Sequence, residues 1–480
     1  MYKNEFTGKI KNYIRIKKEI SMNRTVDTSN ANKTNLKKYQ ELGMKIKSKP
    51  FKRYYKSGLL DNLDIDYVNS VRDYWKLHYN EEIDPVLNLA FKNLTGNENS
   101  RVVPGPVMWK ELIPYFNDMD IRAGYSDKNI YDSLIKTERA VKIILKRVRG
   151  TYFNSNNESL TKDQALNELL SKKQDYIIKP SRTDNGKGIA KLNYENEMIT
   201  LKDKKVSMEE LEDLYGLDFV VQDVIKQHPV MGDPHPSSVN TLRMVTLRWK
   251  NEVRYLLSFA RFGANNAVRD NAGTGGVCVG ITDDGKFMDY AVDEHTNVYT
   301  HHPTTNYAFA EHAQIPNFDK FKEYVIGLHK QILHHDFISW DIAVGEDGLP
   351  VFIELNFRGA TWLYQLASQR SLFGDLTEEI IEQVRDEKLD KQSKASTTPE
   401  ITKLKRDHKK LKADNKKKQE EILQLKEENR NLTINNSKIE TKLISTENEL
   451  KKHKKELNKL LNSTSWKLSK PVRLFGKIKK

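Results

Sequence analysis

In "ISWDIAVGEDGLPVFIELNFRG", residues 338–359, Asp341 lies in one apolar run and Glu354 and Asn356 lie in a second, with the turn cluster "GEDGLP" between them. The two runs read as the strands of a β-hairpin around a Gly-containing turn. Residues two apart on a strand share a face, so Glu354 and Asn356 project together, and pairing could bring Asp341 opposite them. Two carboxylates and an amide oxygen form a hard, anionic site. It suits Mg²⁺, which keeps several waters and takes phosphate oxygens from a nucleotide, better than zinc. Burying two carboxylates in an apolar hairpin with no cation would be costly. The plain alternative is a pair of ordinary polar positions on a half-exposed hairpin. On the metal reading, Asp341→Asn and Glu354→Gln abolish turnover, and the metal-free fold keeps or gains stability.

Two cationic strands complement this set. In "YIIKPSRTDNGKGIAKL", residues 176–192, an apolar strand ends at Lys179-Pro180, a polar Gly-containing loop follows, and a strand resumes at Ile189. This is neither a Walker loop, since G-x-x-x-x-G-K-[ST] is absent, nor a dinucleotide fingerprint. A strand–loop–strand clamp can still present backbone N–H groups to phosphates, with Lys179 as a fixed positive charge. A plain hairpin turn is the competing reading. Arg243 interrupts the apolar strand "NTLRMVTLRW" and needs an anionic partner, either a ligand or one of the chain's own carboxylates.

The elements that must position these groups are legible in outline. From about 175 onward, short β-branched runs ("DYIIKP", "FVVQDVI", "NTLRMVTLRW", "VRYLLSFARFG", "GGVCVGI") are bounded by Gly, Pro, Asn or Asp, the punctuation expected between strands. The spacing predicts a helix at about 318–335, then the hairpin, then a helix to about 388. Residues 51–150 read as mostly helical, in segments such as "DSLIKTERAVKIILKRV". The body is therefore mixed, of the α+β kind.

Charge narrows the function classes. The net charge is +14, but residues 391–480 carry 26 Lys+Arg against 11 Asp+Glu and residues 1–50 carry 13 against 4, so 51–390 is acidic. A nucleic-acid-binding core is disfavoured by that distribution. The single cysteine, Cys278 in "GGVCVGI", excludes an internal disulfide and reads as a small buried apolar residue rather than a nucleophile. No stretch approaches the length of a membrane span, so a cytoplasmic protein is expected, with any membrane contact peripheral at the inner face. Residues 1–50 read as a basic segment, with a helix near 5–20 and a flexible remainder.

From about 398 the sequence becomes a heptad repeat. Leu411, Leu425, Leu432, Ile439 and Leu460 fall on one seam position, and Ile422, Leu443, Leu450 and Leu457 on the other, which also carries Asn415, Asn429 and Asn436. Seam asparagines cost stability but fix register and favour two strands, so a homodimeric coiled coil over 398–462 is expected, a lone solvated helix being the alternative. The last stretch, 463–480, interleaves Trp466, Leu468, Val472, Leu474, Phe475 and Ile478 with six Lys/Arg, a composition suited to an anionic membrane surface or to a frayed tail.

In order, these pieces resemble the ATP-grasp superfamily. The segments "DKNIYDSL", "KPSRTDNGKGI", "NTLRMVTL", "DNAGTGGVCVGI" and "WDIAVGEDGLPVFIELN" are similar to the sugar-transfer-associated ATP-grasp family of surface-polysaccharide gene clusters, over roughly residues 100–385. The resemblance implies an ATP-grasp fold, two α+β lobes gripping ATP, within a catalytic domain spanning 51–390 with a lid lobe at about 175–228. It implies that Lys128 and Lys179 contact the nucleotide phosphates, that Gly186 and Gly188 shape the lid, and that Gln222, Asp223 and Ile225 form the adenine hinge, with His228 a further candidate. Many relatives have Glu where this chain has Gln222 or Asp223. By the same resemblance Asp341, Glu354 and Asn356 are the Mg²⁺ ligands, Arg243 neutralises a phosphoryl group beside Lys179, and Arg261, Asp270, Asn271, Gly275 and Gly276 line the acceptor side. The implied activity is an ATP- and Mg²⁺-dependent ligase acting on a small molecule or glycan precursor in capsular or other surface polysaccharide biosynthesis. A sugar kinase and a nucleotide-binding scaffold are the alternatives.

Overall fold

The computed structural model describes residues 30–183, 188–265, 270, 275–396 and 399–463. The chain forms two compact units, Met1–Glu387 and Lys388–Lys480. The expected helix near 5–20 and nearly all of the 463–480 tail lie outside the described residues, as do Gly186 and Asn271.

The first unit opens with helices that start and stop where local chemistry dictates. Ser48 accepts from the Phe51 N–H and Asp64 from the Tyr67 N–H, capping the helices Lys49–Lys56 and Ile65–Tyr79. Asn80 and Gly96, both left-handed, end Ile65–Tyr79 and the next helix, Val86–Thr95. Phe51, Tyr54, Val71, Trp75 and Leu89 of these helices are buried in one core. Tyr39 and Met44 are buried in it too, so residues 36–50 are packed rather than flexible as their composition suggests. Two bulky apolar groups within a Lys-rich stretch suffice to anchor it.

Eight strands form the first sheet: β1 (Ile143–Val148), β2 (Thr151–Phe153), β3 (Ser159–Leu160), β4 (Tyr176–Pro180), β5 (Ala190–Glu195), β6 (Met198–Leu201), β7 (Lys204–Lys205) and β8 (Phe219–Asp223). Their order is 3-2-1-8-4-5-6-7, antiparallel throughout. The helices Lys162–Ser171 and Met208–Tyr215, each opened by a capping box, pack Ala165, Leu169, Met208 and Leu211 into a core with Ile178 and Phe219. β1 corrects the helical reading of "DSLIKTERAVKIILKRV". Only Tyr131–Leu134 is helical there, and Ile143–Val148 is a strand between β2 and β8. Its run of large apolar side chains, buried on both faces, mimics a helix core segment, and periodicity alone does not separate the two.

The second sheet comprises β9 (Thr241–Trp249), β10 (Glu252–Phe262), β11 (Val277–Ile281), β12 (Phe287–Val292), β13 (Val298–Tyr299), β14 (Phe337–Val344) and β15 (Pro350–Asn356), in the antiparallel order 13-12-11-10-9-14-15. Alternation divides β9 cleanly. Val245, Leu247 and Trp249 join the core built with the N-terminal helices, whereas Leu242 and Met244 face the core that contains the helix Phe318–His329. That helix ends six residues earlier than its sequence suggests, and the helical stretch after the hairpin divides into Thr361–Ser368 and Thr377–Ser396.

The second unit contains the helix Pro399–Asn462. Its Leu411, Ile422, Leu425, Leu432, Ile439, Leu443, Leu450, Leu457 and Leu460 are all more than half exposed in the single chain. Among the described residues, no helix is long and apolar enough to cross a membrane.

Candidate functional site

β14 and β15 pair as the hairpin anticipated from the sequence, with Asp341 opposite Glu354 and Ser339 opposite Asn356. Directly paired residues share a face, so both carboxylates and the amide project to one side. A bulge follows at once: Ile342 pairs with Phe352, which leaves Ile353 as an extra residue beside Glu354. Bulges of this kind re-aim side chains. β9 lies on the other side of β14, with Arg243 opposite Asp341, and β10 pairs Arg261 with Thr241. Hydrogen-bonded register thus lines up Glu354, Asp341 and Arg243 across three neighbouring strands.

These groups form one side of a cleft of about 140 Å³ between the two sheets. The first sheet contributes Ile177, Lys179, Gln222 and Asp223, and Ile189 lies just before β5. Its lining combines apolar side chains (Val141, Ile177, Ile189, Ile225, Val239 and Ile353) with the polar and charged groups of Lys179, Thr241, Arg243, Arg261, Asp270, Asp341, Glu354 and Asn356. Gly188 has a φ of +82°, and a Cβ on it would sit 2.8 Å from Pro180 Cγ, so the turn back over β4 requires glycine there.

The charges are tightly paired. Arg243 Nε lies 2.5 Å from Asp341 Oδ1, and its Nη2 donates to Oδ2 at 3.1 Å. Arg261 reaches Asp341 at 3.1 Å and Asp270 at 3.2 Å. Asp270 also accepts from the Thr241 backbone N–H at 3.0 Å and from its hydroxyl. Lys128 approaches Glu354 at 3.4 Å and donates to the Thr183 carbonyl at 3.0 Å. Burial pushes the Lys179 amine down to about 8, with Glu354 opposing the shift and Lys128 adding to it. Burial also works against ionised Glu354, but the positive charges of Lys128, Lys179, Arg243 and Arg261 outweigh it and hold the carboxyl below its ordinary range. Burial raises Asp270 despite its arginine partner.

Four cations therefore face three carboxylates, which reverses the sequence expectation about stability. Glu354→Gln or Asp341→Asn would leave buried positive charge without its counter-charge, a destabilising change. The donor set still fits a hard divalent ion. It is all oxygen, while the buried Asn356 Nδ2, which has no hydrogen-bond partner, is an N–H donor that an anionic ligand oxygen, not the cation, would complete. Among the described residues no group of three His, Cys, Asp or Glu side chains is placed to hold a metal ion by itself, so any ion would depend on waters and phosphate oxygens for its remaining ligands.

The remaining expected residues divide. Gln222, Asp223 and Ile225 line the cleft as a hinge would. His228 does not: its Nδ1 accepts from the Val230 N–H, capping the turn Pro229–Gly232, and its own N–H donates to the Val344 carbonyl. Lys128 does not line this cleft but lies in the adjoining one. Gly275 and Gly276 lead into β11 outside the cleft lining, whereas Arg261 and Asp270 line the cleft. Sequence reasoning missed Tyr364, whose hydroxyl accepts from Arg243 Nη1 at 2.8 Å and lies 3.1 Å from Ser339 Oγ. It comes from the helix Thr361–Ser368, 121 residues from Arg243, and no local pattern marks it.

The sequence model described as "Sugar-transfer associated ATP-grasp" matches residues 108–381. No curated protein matches the chain. Among solved structures, the ATP-grasp ligase PsnB complexed with minimal precursor, Mg and ADP is similar at 12% identity over 56% of this chain and 62% of that one, TM-score 0.32. D-alanine–D-alanine ligase from Bacillus anthracis is similar at 14% identity over 57% and 72%, TM-score 0.31. L-amino acid ligase from Bacillus licheniformis is similar at 12% identity over 51% and 42%, TM-score 0.26. The alignment spans about three fifths of the PsnB chain's length.

Proposed function

This chain belongs to the sugar-transfer-associated ATP-grasp family, and from that premise we propose that it is an ATP- and Mg²⁺-dependent ligase that activates a carboxylate as an acyl-phosphate, in the assembly or decoration of a surface polysaccharide. The observation that carries the reading is a single cleft lined both by apolar side chains with Gln222, Asp223 and Ile225 and by Lys179, Arg243 and Arg261 with Asp341, Glu354 and Asn356. The apolar lining fits a planar base, and the cations fit a polyphosphate.

In the proposed reaction, a substrate carboxylate oxygen bonds to the γ-phosphorus as the bond to the β,γ-bridging oxygen breaks, and ADP leaves. An amine or hydroxyl then adds to the acyl carbon, loses its proton, and phosphate departs. Lys179, Arg243 and Arg261 stabilise the charge spreading over the phosphoryl oxygens in a site that is largely dry. Asp341, Glu354 and Asn356 would hold Mg²⁺, which when bound neutralises phosphoryl charge. The seam of the helix Pro399–Asn462 would make the protein a homodimer, and the basic tail would give it peripheral contact with a membrane from the cytoplasmic side.

The test is product analysis with purified protein, ATP, Mg²⁺, and panels of carboxylates and acceptors. ADP release that needs both a carboxylate and an acceptor, with the coupled product seen by mass, is the expected result. ADP with a phosphorylated sugar would make the protein a kinase, and nucleotide binding without any turnover would make it a scaffold.

A further inference from the structure

The helix Pro399–Asn462 carries charge beside its apolar seam, and that charge distinguishes between the ways two copies could pair. In the heptad abcdefg, the seam position of Asn415, Ile422, Asn429 and Asn436 is a, and that of Leu425 and Leu432, three residues later, is d. The g and e positions that flank such a seam set partner choice and orientation. Here g holds Asp407, Glu421, Lys442 and Glu449, and the e position five residues after each holds Lys412, Lys426, Glu447 and Lys454. All eight side chains are exposed in the single chain. The ion pairs among the described residues of this helix, Lys416–Glu420 and His453–Glu456, use none of them.

We propose that this helix pairs with a second copy of the chain in parallel and in register. The proposal rests on the homodimer reading above and is independent of the ligase reading. In a parallel two-stranded coil, each g side chain faces the e side chain five residues further along the partner. Asp407 then meets the partner's Lys412, Glu421 the partner's Lys426, Lys442 the partner's Glu447, and Glu449 the partner's Lys454. The other g–e contacts between 407 and 461 each join a charged side chain to an uncharged one, so no like charges meet. The antiparallel arrangement that overlaps the helices end to end fares worse. It sets Asp407 against the partner's Glu456 and Asp414 against the partner's Glu449, and keeps two attractive contacts, Glu421 with the partner's Lys442 and Lys412 with the partner's Glu447. The asparagines point the same way. Antiparallel pairing buries Asn429 and Asn436 against the partner's Leu432 and Leu425, which cannot satisfy an amide. Parallel pairing sets each asparagine against its own copy, where amide can bond amide. Because the three are spaced by two heptads and then one, only the unshifted register pairs all of them. Both chains therefore leave the coil at the same end. The two 463–480 segments, with six Lys or Arg each, continue from there, and an anionic surface would meet both at once.

Disulfide trapping in the full-length protein tests the orientation, with dimerisation read by light scattering. Cys278 is buried and stays out of the reaction. Under mild oxidant, Asn415→Cys should crosslink the bulk of the protein to itself, and Glu420→Cys, on the outer face, should not. An equal mixture of Asn415→Cys and Thr446→Cys chains should yield no mixed disulfide peptide by mass, since those positions meet only in the antiparallel coil. Charge reversal gives a second readout that leaves the seam untouched. Glu421→Lys should weaken dimerisation roughly tenfold by placing two like-charged pairs in each dimer, and Lys426→Glu in the same chain should restore it. Antiparallel pairing sets Lys426 against the partner's Thr433 and predicts no rescue. A mixed disulfide peptide, a dimer in which Asn415→Cys fails to crosslink, or a charge reversal that Lys426→Glu does not rescue overturns the parallel assignment while the dimer stands. A full-length protein that scatters as a monomer overturns the homodimer reading and this assignment with it.

Discussion

At Glu354 two functions are superposed, since one carboxylate lies between Lys128 and Lys179 and beside the proposed Mg²⁺ position. Glu354→Gln keeps the volume and removes the charge. Turnover should be abolished, because losing a metal contact to the transferring phosphoryl costs several kcal/mol of barrier. Activity within threefold of the parent would remove Glu354 from the site. The metal-free melting temperature should also fall, by the equivalent of about 1–3 kcal/mol, because the lysines lose their counter-charge. Lys179 gives a second readout, in pH. Its folded value of about 8 lies below the ordinary 10.5 because burial penalises the charged form. Between those values the unfolded chain holds the proton and the folded chain does not, so the nucleotide-free protein should gain stability as pH rises through this window. Phosphate binding requires the charged form, so ADP affinity should fall above pH about 8, approaching tenfold per unit. Lys179→Arg, which stays charged, should flatten that fall. A parent protein whose ADP affinity is level from pH 7 to 10 would contradict the assignment.

Elements decide how much of this was readable. The hairpin, the Lys179 strand and the Arg243 strand were legible because each is a short β-branched run between turn residues, with one polar side chain where an apolar one is expected. Strand pairing then followed: Asp341 opposite Glu354 needed only antiparallel register. Two things were not legible. The bulge at Ile353 is a property of register, which no single strand encodes. Tyr364 reaches Arg243 only because the helix Thr361–Ser368 docks on the second sheet, and docking is long-range. That docking makes a prediction about Gly359. A Cβ there would lie 1.9 Å from the Tyr364 hydroxyl, so alanine must push the ring away from Arg243. Gly359→Ala and Tyr364→Phe should each lower the melting temperature, since a buried guanidinium loses a hydrogen-bond acceptor, at about 1–3 kcal/mol. If Gly359→Ala melts like the parent and turns over at the parent rate, the hydroxyl does not position Arg243.

For the whole molecule the open question is what covers the long helix. Nine Leu and Ile side chains at heptad positions of Pro399–Asn462 are more than half exposed in one chain. Burying a Leu or Ile contributes about 1.5–3 kcal/mol, so a matching seam from a second copy offers a large gain, with Asn415, Asn429 and Asn436 setting the register. The first unit has its own cores and sheets and includes every residue of both cavities. Removing 398–480 should therefore yield a smaller species by light scattering, with ADP affinity within about twofold of the full chain. Loss of ADP binding on truncation would show that the second unit completes the nucleotide site. The same truncation should abolish binding to anionic vesicles, where each Lys or Arg near the surface contributes about 1 kcal/mol. Deleting only 463–480 separates the two roles: the dimer should persist while vesicle binding falls, and raising salt should weaken what full-length binding there is. Vesicle binding that ignores salt, or that survives loss of 463–480, would move the anchor to the basic residues 1–50, where 13 Lys and Arg stand against 4 acidic groups.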